Sequence, residues 1–210
     1  MSEPSRGSQI SRRSWLLAGL ALPLFRARAA DPLSVTFDGD NLHIASPDLH
    51  FLTGKPLQRL TEGGTVVYFG RLTLFRDAFV IPFRRTDARF VVSYDIWSEK
   101  EAKFSVTSPE PAPRTVLLPA SAAEAWCIEN LAINASGWPP DRPFWLLLDL
   151  RTVPRKDLSQ VLGDSGINIK NFLIEFFSRQ PGTDDPQWTR PAGPLRLADL
   201  VRTPGRGKIG

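Results

Sequence analysis

Apolar and polar residues alternate along much of this chain, with a period of two. In residues 33–37, Leu33, Val35 and Phe37 share a face, and alternation resumes over 42–45. Asp38-Gly39-Asp40-Asn41 separates the two runs, which predicts a β-hairpin with His43 on its outer face. Residues 56–62 carry Leu57 and Leu60 at helical spacing. Pro56 suits a first turn and Gly63-Gly64 ends the run, so a short helix is expected. Thr65–Phe75 is apolar on both faces with Gly70 in its middle, the pattern of a central strand bent or bulged at the glycine. Further strands are expected at 79–83, 89–97 and 104–106, with a proline-rich loop at 109–113. Ser121 and Glu124 fit a capping box opening a helix that runs to about residue 132, with Trp126 as its anchor.

The strongest strand pattern is 144–153. Phe144, Leu146, Leu148 and Leu150 alternate there with Trp145, Leu147, Asp149 and Arg151. A short helix is expected over 155–162. Residues 167–177 fit helix and strand periods, and we assign helix. Pro181, Pro186, Pro191, Pro194 and Pro204 predict an irregular tail, with 201–210 disordered. No internal repeat is visible. These elements predict a mainly β fold: one antiparallel, β-sandwich-like domain over 30–200 with two or three short helices.

Composition changes this picture at the N-terminus. The 210 residues carry 26 bases and 22 acids, a formal net charge of +4. Residues 1–29 hold five of those bases and one of those acids, which leaves 21 of each in the rest. The body therefore has no cationic surplus with which to release phosphate counterions, and no nucleic-acid partner is expected. The leader has the pattern of a twin-arginine export signal: Ser11, Arg12, Arg13, Trp15 and Leu16, then an apolar run to Phe25. That run is too short to span a bilayer, so no transmembrane anchor is expected. Ala27, Ala29 and Ala30 mark the cleavage region of a signal peptide over 1–29. Export to the periplasm or beyond follows as the expected localisation, with the export machinery as the leader's partner.

Candidate chemistry is sparse. Cofactor, phosphate-loop, nucleophile-elbow and zinc motifs are missing, so no catalytic, cofactor or metal residues are assigned. The single cysteine, Cys127, reads as an inert packed thiol. His43 and His50 read as surface or capping histidines. Asp149 reads as a half-solvated carboxylate paired with a cross-strand arginine, or else a buried one. Asp38-Gly39-Asp40 reads as a turn and Asp184-Asp185 as a loop, rather than as cation sites. Of the tryptophans after the leader, Trp126 and Trp145 read as core, while Trp138 and Trp188, in proline-rich surroundings, are the candidate ligand contacts. Asn134-Ala135-Ser136 has the form of a glycosylation sequon.

Residues 56–108 and 121–154 resemble an exported bacterial domain family of unknown function. The likeness rests on a long strand from Gly64 to Arg76 carrying Val67, Tyr68, Phe69, Leu72, Leu74 and Phe75. It also rests on Val92-Ser93-Tyr94-Asp95 and on Leu148-Asp149-Leu150 leading to Pro154. The chain from Lys156 onward departs from that pattern, and the resemblance implies no catalytic residue. The expected function is that of a non-catalytic exported module binding a protein or envelope component. The alternatives are a small-ligand or glycan-binding domain, or a hydrolase with a dispersed site using His43 or His50 with Asp149.

Overall fold

A computed structural model describes residues 33–95, 103–108, 114–162, 169–180, 182 and 185–202. The residues expected to form an export signal, Arg12, Arg13, Trp15, Leu16, Ala27, Ala29 and Ala30, lie outside these, as do the loop 109–113, Asp184 and residues 203–210.

The fold is mainly β and sandwich-like, with two sheets. The strands are β1 (Ser34–Phe37), β2 (Asn41–Ala45), β3 (Thr65–Phe75), β4 (Pro82–Asp95), β5 (Lys103–Ser108), β6 (Arg114–Leu118), β7 (Ala132–Asn134), β8 (Phe144–Thr152), β9 (Gln187–Leu195) and β10 (Val201–Arg202). The larger sheet has the order β6-β5-β4-β3-β8-β9 and the smaller β10-β1-β2-β7. All pairings are antiparallel except that of β1 with β10. The helices are α1 (Gly54–Thr61), α2 (Ala120–Glu129), α3 (Leu158–Leu162) and α4 (Ile169–Ser178). The fourth comes from the ambiguous segment: Leu173 turns inward and Phe172 and Phe176 flank it, so the helical period prevails.

One face of the large sheet, with Val66, Tyr68, Leu72 and Leu74 of β3, joins Leu42, Ile44 and Ile133 of the small sheet in the main core. Val67 and Phe69 point the other way, into a second core with Leu158, Val161 and Leu173 of α3 and α4. Two cores account for a strand that is apolar on both faces. Gly70 is not a bulge. β3 runs through it in register with β4 and β8, and the register shift falls at Leu74/Phe75. A Cβ at Gly70 would lie 2.9 Å from Leu131 Cδ1, so the missing side chain admits buried Leu131 to the core.

Three other expectations change. Residues 79–81 form the turn between β3 and β4 rather than a strand. The proline-rich tail contains β9, whose Pro191 and Pro194 are tolerated because it is an edge strand. Val201 and Arg202, expected in a disordered end, pair with Thr36 and Phe37. Among the described residues no helix is long and apolar enough to cross a membrane.

Candidate functional site

A groove runs along one end of the large sheet, where β3 begins and β8 ends. Lys55, Pro56 and Arg59 of α1 form one wall and Arg155 of the following 3-10 turn the other, enclosing about 230 Å³. Thr152, Pro154, Asp185 and Pro186 also line an adjoining hollow of about 240 Å³, bordered by Lys156, Asp157, Phe176 and Arg179.

Local chemistry holds these walls. Pro56 and Leu60 bury one side of α1, which turns Arg59 outward. The Gly63 amide donates to Leu60 O and the Gly64 amide to Arg59 O, closing the helix at Gly63, whose φ is 81°. Val153 N donates to Val67 O at 2.8 Å, and Pro154 then turns the chain into the 3-10 segment Arg155–Asp157. Thr152, buried, donates to Pro186 O through its hydroxyl at 3.3 Å.

Among the described residues that line this groove, the cationic side chains outnumber the one carboxylate, Asp185. Arg151 is held by Asp149, with Nη2 to Oδ2 at 2.7 Å, and Arg179 pairs with Glu175. Arg59 and Arg155 have no carboxylate partner among the described residues. Burial and the neighbouring charge of Arg155 hold the Arg59 guanidinium below the usual arginine value. Two like charges facing one cleft repel, and an anion between them relieves that repulsion while accepting directed hydrogen bonds from both.

Glu124 organises a second node. It does not cap α2, because the N-cap position is Pro119 and no side chain bonds there. Buried instead, its Oε1 accepts from the amides of Phe51 and Leu52, each at 2.6 Å, and its Oε2 lies 2.9 Å from His50 Nδ1. Tyr68 donates to Phe51 O at 3.2 Å. His50 is thus oriented by a carboxylate while more than half exposed. That is half of a base–nucleophile arrangement, and among the described residues no hydroxyl or thiol hydrogen-bonds to it. Cys127 is buried beside Glu124, and burial followed by that carboxylate pushes its thiol pKa up.

The remaining sequence candidates are scattered. His43 Nε2 lies 2.8 Å from Asp38 Oδ2 on the small sheet. Burial alone would raise the Asp38 pKa, but the hydrogen bond and charge of His43, with Asn41, bring it below the usual value. Asp149 lies on the opposite face of the large sheet from the main core. Its partner is Arg151 on the same strand, because the cross-strand Arg71 is taken by Asp87, with Nε to Oδ1 at 2.6 Å. His43, His50 and Asp149 are therefore not brought together.

Trp138 is buried, with Phe83 and Phe144 edge-on at 5.0 and 6.1 Å and its Nε1 donating to Arg142 O. Trp188 lies in β9 rather than a loop, half-buried against Phe51 and Tyr68. Trp145 is half-buried on the outer face rather than in the core, and Trp126 is half-buried against Phe90. Sequence reasoning missed Arg59 and Arg155, because 96 residues separate two groups that only folding juxtaposes. Glu124 did carry a signal: it shares a helical face with Cys127, Ile128 and Leu131. Compared with family models, curated proteins and solved structures, the chain has no match.

Proposed function

We propose that this chain is an exported, non-catalytic module that binds a component of the cell envelope, and that the groove between α1 and the 3-10 turn receives an acidic group of that component. The observation that carries the reading is the pair Arg59 and Arg155, lining one groove without a carboxylate partner among the described residues. Two guanidinium forks favour a carboxylate or phosphate over a neutral sugar. Burial of Trp138 removes one of the two rings on which the glycan alternative rested.

The test has two arms. Calorimetric titration of the full chain with muramic acid and with glycerol phosphate is expected to show saturable binding to at least one. Arg59→Ala/Arg155→Ala is expected to weaken it about tenfold or more. Binding that survives the double variant, or no binding to either probe, rejects the groove. For export, Arg12→Lys/Arg13→Lys keeps the charge and removes the planar forks. Fractionation is expected to find this variant retained in the cytoplasm, and normal export of it would reject the twin-arginine reading.

A further inference from the structure

The turn joining β3 to β4 exposes Ala78, Phe79, Val80, Ile81 and Pro82 in succession, with Val80 73% and Ile81 50% exposed. Uninterrupted exposed apolar residues at a hairpin tip are costly in water unless they serve a surface that covers them. The backbone is held to this shape. Val80 N donates to Asp77 O and Arg76 N to Ile81 O, while Phe79 adopts φ 63°. A bulky residue in the left-handed region is strained, and such strain persists where the surrounding structure enforces it. Here it sets the Phe79 ring against Phe75, at 5.6 Å, and leaves Val80 and Ile81 outermost.

Arginines surround the base of the tip. Arg76 and Arg84 stack on Phe83, with their guanidinium carbons 4.8 and 5.1 Å from the ring centre, and exposed Arg85 follows Arg84 along β4. Arg84 is tied down by Asn134 and Ser136. One carboxylate, Asp77, stands in the same turn. An apolar wedge collared by cations matches a bilayer surface, where apolar side chains enter the acyl boundary and arginines meet anionic headgroups.

We propose that the hairpin tip at 78–82 docks the protein on an anionic lipid surface, Val80 and Ile81 entering the interface and Arg76 and Arg85 meeting the lipid phosphates. The tip and the groove lie at opposite ends of β3, whose 11 residues span about 35 Å. Docking therefore leaves the groove facing away from the bilayer, and neither site depends on the other for its evidence.

The experiment must report on the tip itself, so that any lipid binding by the apolar run Trp15–Phe25 is not counted as docking. Cys127 is buried, so a polarity-sensitive fluorophore attaches to the thiol introduced by Val80→Cys in the full chain. Leu117→Cys, exposed on edge strand β6, gives the control. With vesicles of phosphatidylglycerol and phosphatidylcholine in equal parts, the label at 80 is expected to shift to the blue and the label at 117 to stay unchanged. In the Val80→Cys background, Arg85→Ser is expected to raise the lipid concentration at half-shift about fivefold. No shift at 80, or an equal shift at 117, overturns the proposal, since any vesicle binding then comes from elsewhere in the chain. An unchanged midpoint in the Arg85 variant, or an equal shift with phosphatidylcholine alone, overturns the charge-based recognition. A shift produced by envelope protein and not by vesicles would assign the tip to a protein partner instead.

Discussion

A single carboxylate shows how burial changes what a residue does. Read along the sequence, Glu124 closes a capping box with Ser121. In the fold it satisfies two amides of the segment after β2, 73 and 72 residues away, and orients His50. Truncation strands both buried donors, so Glu124→Ala is expected to cost about 3 kcal/mol in urea unfolding. Ser121 is exposed and makes no cap, so Ser121→Ala is expected to change stability by less than about 0.5 kcal/mol. A capping box would lose about 1 kcal/mol there. Equal losses in the two variants would restore the capping account.

Among the elements, β3 decides most. It pairs with β4 along its length and with β8 from Tyr68 to Phe75, and it separates the two cores. Its glycine matters for contact rather than curvature. Gly70→Val drives a branched side chain into Leu131, which has no exposed surface into which to retreat, and is expected to cost about 2 kcal/mol. Leu131→Ala in the same chain makes room, so the two losses are expected to be less than additive in denaturant midpoints. Strict additivity would place the cause elsewhere. The pattern of this strand was legible in the sequence, as was that of β8. The identity of β9 was not, because proline counts against strands in general, and the exception for edge strands depends on knowing the sheet order.

At the scale of the molecule, pH acts through buried acids. Burial pushes the Tyr68 hydroxyl and the Cys127 thiol above their ordinary values, with the charge of Glu124 adding to both and Cys127 adding to Tyr68. A group raised in the folded state contributes stability that is complete below its unfolded pKa and lost as pH rises past it. The unfolded values are about 8.5 for the thiol and about 10 for the phenol. Urea midpoints are therefore expected to fall between about pH 8 and about pH 10.5, and to fall less steeply in Tyr68→Phe/Cys127→Ala. An equally steep fall in that variant would assign the loss to other groups. Asp38 acts at the other end: its pKa is lowered, so its contribution is present above about pH 4 and disappears as the carboxylate is protonated.

Local pattern by itself determined the mainly β class, the positions of β1, β2, β3 and β8, the short helix α1 and the even charge of the body after residue 29. Alternation, turn residues and composition are properties of neighbouring residues, and a strand or turn reports them directly. Only the tertiary structure decided the rest. It brought Arg59 to Arg155, turned Glu124 into the partner of His50, buried Trp138 and left the apolar tip at 78–82 uncovered. Each of those outcomes depends on which distant segments the sheet order places together, and a short-range period carries no information about contacts of high sequence separation.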